Sequence, residues 1–323
     1  MSALLDVRGL SVTLARGGRD LTALDDVSFS VGPGEVLGLV GESGAGKSLT
    51  GAALINLLAP PLRRAGGEIS LDGERLDILS EAEMARIRGR KIGFVFQDPL
   101  TSLNPVLTVG RHFTDMLRSH FDISAAEARA RALKWIGRVG LPQPETRLAQ
   151  YPHELSGGMR QRIVIALALC CGPKLVIADE PTTALDVSVQ AHVLKLLRDL
   201  HQETGVALIL ITHDLGVMAK MADRIAVLYA GRIVENGAAR QILSAPRHPY
   251  TRGLLRATPS HRARGKPLPI PGAMPGLGDI PRGCAFHPRC GLADEACRTA
   301  RPELTAHGGG PAACWHPLGE DAA

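Results

Sequence analysis

Short, wholly apolar runs alternate along the chain with stretches in which apolar residues recur at helical spacing. Residues 175–178, 207–211 and 225–228 are runs of the first kind, each bounded by turn-forming or polar residues. Such runs suit strands buried on both faces. Residues 35–40 and 91–96 read as two further strands, and a glycine-rich turn after the first leads into a predicted helix from Lys47 to about position 58. Residues 107–139, rich in Ala and Arg, read as helical. So do residues 187–203, where Val189, Val193, Leu196, Leu197 and Leu200 fall at helical spacing. Strands alternating with helices predict an α/β fold around a mostly parallel sheet. From Pro259 onward the periodicity is lost and Pro, Gly, His and Cys dominate. That tail cannot bury much apolar area, so it needs a staple if it is ordered.

Composition narrows the classes. The 323 residues suit one large domain plus a small one. With 45% hydrophobic and 21% charged residues, a buried core is available and a disordered chain is excluded. Aromatics are only 3%, so Ala, Val, Leu and Ile fill the core, and a base-stacking surface for single-stranded nucleic acid is disfavoured. A net charge of +5 is a mild basic excess that suits an anionic ligand or a membrane surface. The longest apolar run, residues 163–171, is far short of the roughly 20 residues that cross a bilayer. Asp6 and Arg8 stand where a signal peptide would be apolar, so the chain reads as not exported. Disulfides are then unexpected. Of the six cysteines, Cys170 and Cys171 sit in an apolar helical run and read as small core residues, whereas Cys284, Cys290, Cys297 and Cys314 crowd into the last forty residues.

Two strings carry chemistry. Gly41-Glu42-Ser43-Gly44-Ala45-Gly46-Lys47-Ser48 fits G-x-x-x-x-G-K-[ST] and lies between a predicted strand and a predicted helix. Its glycines let backbone N–H groups turn inward around a phosphate, and the helix start adds partial positive charge. Lys47 then reaches the β- and γ-phosphates, and the Ser48 hydroxyl is a Mg²⁺ ligand. The second string, Leu175-Val176-Ile177-Ala178-Asp179-Glu180, ends an apolar strand in two acids. At the carboxyl edge of a sheet, Asp179 would hold Mg²⁺ and Glu180 would polarise the attacking water.

Further motifs follow in a fixed order: Gln97 after a strand, Leu155-Ser156-Gly157-Gly158-Met159 opening an apolar helix, Ala184-Leu185-Asp186 after the acids, and His213 after the strand at 207–211. The series resembles the nucleotide-binding subunit of ABC transporters over about residues 4–237. The resemblance implies a P-loop NTPase core of ABC type: a mixed sheet with an N-terminal antiparallel β part, a helical subdomain at about 98–160, and a small Pro- and Cys-rich C-terminal domain. The implied boundaries are 1–257 and 258–323. It implies a nucleotide site at Gly41, Glu42, Ser43, Gly44, Ala45, Gly46, Lys47, Ser48 and Leu49. It also implies that Ser156, Gly157 and Gly158 cap the γ-phosphate held by a partner subunit, so that two ATP molecules lie between two nucleotide domains. Asp186 contacts that facing subunit. Gln97 senses Mg²⁺ and the attacking water, and His213 bonds the γ-phosphate and holds Glu180. Residues 1–28 contain no Phe, Tyr, Trp or His where the family usually stacks a ring on adenine, so stacking is weak or falls to Leu14 and Arg16.

Three stretches are similar to one branch, the ATP-binding subunits of dipeptide and oligopeptide importers. They are residues 246–255 with His248-Pro249-Tyr250, residues 151–162 around the signature, and residues 269–290 ending Cys284-Ala285-Phe286-His287-Pro288-Arg289-Cys290. The branch includes importers of nickel, glutathione and other small solutes. It implies a second, different nucleotide-binding chain, two membrane permeases and an extracytoplasmic solute-binding protein, with this chain peripheral on the cytoplasmic side of the membrane and no nucleic acid. It also implies a [4Fe–4S] cluster on Cys284, Cys290, Cys297 and Cys314. The C-x5-C-x6-C-x16-C spacing itself leaves zinc open, and His287 and His316 are alternative ligands. Replacing Cys284 and Cys290 is expected to cost metal and tail order but to spare Mg·ATP binding. An ABC ATPase acting on DNA or the ribosome is the reading from another class. The single nucleotide domain and the lack of sustained heptads weigh against it.

Overall fold

A computed structural model describes residues 3–183, 185–258, 268–307 and 310–319. Ala184 of the Ala184-Leu185-Asp186 motif and the start of the tail at Pro259 lie outside the described residues. The chain divides into two units, residues 1–78 with 210–323, and residues 79–209.

In the first unit, strands Leu5–Arg16 and Arg19–Val31 form an antiparallel hairpin. Its two-residue turn is Gly17-Gly18, with φ +58° and +74°, the left-handed pair that matches strand twist. Leu62–Leu71 pairs on the far side of the first strand and Glu74–Arg75 on its own outer edge. A second sheet runs in the order Thr305–His307, Gly310–Ala312, Arg232–Ala238, Arg224–Tyr229, Val36–Val40. Among these strands of the unit only Arg224–Tyr229 and Val36–Val40 pair in parallel, so the sheet is mixed. Val36–Val40 is buried at every position, as its unbroken apolar run requires. The helix Lys47–Leu54 begins at the predicted place but stops short of position 58, because Asn56 takes φ +51°. The tail builds short pieces, including the helix Glu295–Thr299 and the hairpin whose second strand pairs with Arg232–Ala238.

In the second unit, Ile92–Val95 runs parallel to Leu175–Asp179, and Ala207–Ile211 flanks the latter. The helix-rich stretch resolves into Val109–His120 and Ala125–Arg138. The second starts with a capping box in which Ser124 and Glu127 satisfy each other's backbone N–H groups. Phe113, Leu117, Ala132, Ile136, Ile163 and Ile165 are wholly buried and form its helical core. Gly157–Leu169 and Val187–Thr204 complete the unit. No described helix is long and apolar enough to cross a membrane.

Candidate functional site

The phosphate-type loop follows Val36–Val40 and ends at the helix beginning with Lys47. Gly41, Gly44 and Gly46 hold φ of +156°, +83° and +103°, a region that L side chains rarely enter. A Cβ on Gly41 would lie 2.4 Å from the Leu228 carbonyl oxygen, and one on Gly46 would lie 2.7 Å from Leu24 Cδ2. The loop therefore needs glycine for conformation and for space. Lys47 is buried, and its Nζ donates to the carbonyls of Gly41 (2.9 Å) and Glu42 (3.0 Å), which folds the ammonium under the loop. Ser43, Gly44 and Ser48 are exposed, Glu42, Gly46 and Leu49 half-buried, and Ala45 buried. His213 is exposed after strand Ala207–Ile211, and Asp214 beside it caps the helix Leu215–Met221.

The second unit carries the acids. Asp179 is buried at the end of Leu175–Asp179. Glu180 follows with φ +43°, an unusual value for a residue with a side chain. Its Oε2 accepts from Gln97 Nε2 at 3.1 Å and from Thr183 Oγ1 at 2.7 Å. Gln97 and Glu180, read separately in the sequence, are thus in direct contact. Thr183 had no signal in the sequence.

The signature string opens Gly157–Leu169. Ser156 is its N-cap and accepts from Met159 N–H at 3.4 Å, while Ser156 and Gly157 remain exposed. Ser156, Gly157, Gly158, Leu185 and Asp186 line one open cavity with Arg162 and Thr183. Asp186 is the N-cap of Val187–Thr204 but makes no side-chain cap bond, and it is exposed. A helix start with exposed N–H groups and glycines is an anion site.

In the tail, all four cysteines line one small pocket with His287, His316 and Trp315. Burial and then the neighbouring cysteines push the Cys314 thiol up to about 12, and burial also raises Cys284 and Cys297. Four thiols round one pocket are the donor number that a thiolate-bound zinc or iron–sulfur group takes. The donor set therefore fits a thiolate-bound metal group. Among the described residues, the ligand atoms that all approach within 4.8 Å are those of Asp294, Cys297 and His316. The four sulfurs do not form so tight a group, whereas zinc bonds of about 2.3 Å would hold them within about 4 Å of one another. Cys170 and Cys171 are buried at the end of Gly157–Leu169. Two contacts that the sequence did not signal reach the phosphate-type loop, one from Tyr250 ahead of the tail and one from Arg289 within it. Tyr250 Oη accepts from Glu42 N–H, and Arg289 pairs with the Glu42 carboxylate.

Comparison with known proteins gives this arrangement a family. The ABC transporter family matches residues 24–183, and the oligopeptide/dipeptide transporter C-terminal region matches residues 234–297. The oligopeptide transport ATP-binding protein OppD of Salmonella typhimurium is 47% identical over 320 residues, covering 99% of this chain and 95% of that one. The dipeptide transport ATP-binding protein DppD of Escherichia coli is 45% identical over 318 residues, covering 98% and 97%. Among solved structures, the ATP-binding cassette MJ0796, a dimer bound to ADP and Pi, superposes with a TM-score of 0.66 at 31% identity, covering 73% of this chain and 99% of that one. The fold is that of an ABC ATPase cassette, and the chain belongs to the ABC transporter ATP-binding subunits of the oligopeptide and dipeptide importer branch.

Proposed function

We propose that this chain hydrolyses ATP to drive the import of di- and oligopeptides, as one of two nucleotide-binding subunits on the cytoplasmic face of a membrane transporter. The observation that carries the reading is the union in one chain of an ABC cassette with the oligopeptide/dipeptide C-terminal region. Its partners are two permeases, a second and different nucleotide-binding chain, and an extracytoplasmic binding protein. Exposed apolar side chains on the second unit, among them Phe96, Leu100 at 60% and Val106 at 74%, suit docking to a permease. They flank Gln97, Phe96 just before it and Leu100 and Val106 after it, near the start of the helical subdomain assigned to about 98–160 within a nucleotide domain of 1–257.

The site roles follow from the chemistry of the groups. Lys47 and the loop N–H groups bind the β- and γ-phosphates of ATP. Ser48, Asp179 and Gln97 serve Mg²⁺. Glu180 takes a proton from the attacking water, Gln97 and Thr183 hold its carboxylate, and His213 bonds the γ-phosphate. Ser156, Gly157 and Gly158 cap the γ-phosphate bound by the partner subunit, and Asp186 faces that subunit. Cys284, Cys290, Cys297 and Cys314 hold a [4Fe–4S] cluster in the 258–323 domain. Such a group, when bound, cross-links a segment with little core of its own.

The test is ATP turnover by the complex of this chain with its permeases and second ATPase in lipid vesicles. Turnover should rise when the binding protein is loaded with a peptide. Stimulation by nickel or glutathione but not by peptide would reassign the cargo. Full turnover by the isolated monomer would refute the shared-site mechanism.

A further inference from the structure

Side chains from the C-terminal part of the chain meet the phosphate loop at Glu42. Arg289 grips its carboxylate with both prongs of the guanidinium, Nη1 to Oε2 at 2.6 Å and Nη2 to Oε1 at 2.9 Å. The Arg289 side chain is only 4% exposed. It is itself fixed, because Nε donates to the Pro271 carbonyl at 2.8 Å and Nη1 reaches Tyr229 Oη at 3.4 Å. The Tyr229 and Phe286 rings lie 5.8 and 5.9 Å from its guanidinium carbon. On the main-chain side, Glu42 N–H donates to Tyr250 Oη at 2.8 Å. Tyr250 is wholly buried, with ring centroids 4.6 Å from Tyr229 and 5.3 Å from Phe286.

Both ends of Glu42 are thus held by residues outside the loop, and the Glu42 carbonyl in turn receives Lys47 Nζ and Ala45 N–H. A loop with glycine at positions 41, 44 and 46 has little stiffness of its own. It also carries a carboxylate beside the place where a polyanion must sit. A bidentate Arg answers both problems, since it fixes geometry and cancels charge. We propose that Arg289 and Tyr250 are positioning residues of the phosphate loop, which hold Glu42 so that the loop is set, and electrically neutral at that residue, for Mg·ATP. The proposal rests on the nucleotide reading above and goes further by making the C-terminal domain a determinant of nucleotide affinity.

The experiment is titration of the full-length chain with a fluorescent ATP analogue and Mg²⁺, with displacement by ATP. Arg289→Met keeps an apolar stem against the rings and removes the fork. Its Kd for Mg·ATP should rise about tenfold, the size of one lost charge-assisted hydrogen bond. In a chain already carrying Glu42→Gln, the same change should alter affinity by no more than about twofold, because Arg289 acts through Glu42. In the assembled transporter, KM for ATP should rise while kcat stays within about twofold. Wild-type affinity in Arg289→Met overturns the proposal, and so does an equal loss in the Glu42→Gln background. Should thermal melting show Arg289→Met unfolded, Arg289→Lys and Tyr250→Phe carry the test, and wild-type affinity in both overturns it equally. Failure of the unaltered chain to bind Mg·ATP would instead overturn the nucleotide reading itself.

Discussion

Replacing Glu180 with Gln separates chemistry from architecture. Glu180 Oε2 accepts two hydrogen bonds, from Gln97 Nε2 and Thr183 Oγ1. A glutamine of the same length can offer its amide oxygen to both donors. The positive φ of +43° costs the two residues the same, as both are unbranched at Cβ. The structural loss is therefore only the weakening of two hydrogen bonds from a charged to a neutral acceptor, about 1 kcal/mol for a half-buried group. That shifts the melting temperature by only about 2–4 °C. The chemical loss is larger, since a positioned general base is worth about 10²–10⁴ in rate, or roughly 3–5 kcal/mol of barrier. Phosphate release by the assembled transporter should fall by at least about a hundredfold. Mg·ATP binding should be retained, and the closed dimer should accumulate on size-exclusion chromatography. A variant that turns over within about tenfold of wild type would show that the base is another group. A parallel loss of ATP binding would show that Glu180 serves the ground state.

Three other perturbations are read in the same way. An alanine Cβ at Gly158 would stand 2.7 Å from Val189 Cγ1, so Gly158→Ala must displace either the signature helix start or Val189 on the facing helix. ATPase activity of the dimer should drop about tenfold or more while Mg·ATP binding by the single chain is unchanged, and equal losses in both assays would contradict the shared site. Asp77 accepts from Ile69 N–H and from Arg75 Nε and Nη2, and the Arg75 guanidinium holds its carboxyl down to about 2. A lowered carboxyl adds stability above its unfolded value near 3.8 and loses it as pH falls from there to about 2. Asp77→Asn should therefore cost about 1–2 kcal/mol at pH 7, discounted for the partly exposed Arg75, and thermal melts should show the gap to wild type closing below pH 4. Replacing both Cys284 and Cys290 with Ser should abolish iron or zinc in anaerobically purified protein, measured by elemental analysis, and unchanged metal content would remove these residues from the site. The contact of Arg289 with Glu42 revises the expectation that Mg·ATP binding is spared, because Arg289 adjoins Cys290. Affinity should fall, but by no more than in Arg289→Met.

What the sequence disclosed and withheld follows from the range of the interactions. The phosphate loop, the acidic strand end and the signature are contiguous strings, and their chemistry is written locally. Strands buried on both faces announce themselves as apolar runs, and Ala207–Ile211 falls on its predicted residues. The N-terminal hairpin showed no such pattern, because register shifts between Val7 and Leu10, Leu10 and Val12, and Val12 and Thr13 break the alternation of two. It was legible only through family resemblance. Glu235 was equally silent. It is a carboxylate in a strand, yet it is only 1% exposed and accepts the N–H groups of Arg247 and His248. The two contacts to Glu42 span 208 and 247 residues of chain, and nothing local in Tyr250 or Arg289 names that partner. Motif strings marked both residues without saying what they touch.

The N-terminal hairpin bears on why that contact matters. Leu14 pairs with Leu21 and Leu62 across the hairpin sheet, and Arg16 is exposed beside the turn. Neither offers the face of an aromatic ring to a base, and residues 1–28 hold no ring at all. A ring would supply about 1–3 kcal/mol per base, as in single-strand binding proteins, and Leu14 and Arg16 supply less. Affinity for ATP then falls more heavily on the triphosphate, and hence on a loop whose three glycines leave it soft. Under that distribution, a loop braced at Glu42 by Arg289 and Tyr250 gains the most from being held. A C-terminal domain with few apolar residues of its own can act on nucleotide binding through one side chain, Arg289, without having to supply a core, while Tyr250 acts from within the nucleotide domain.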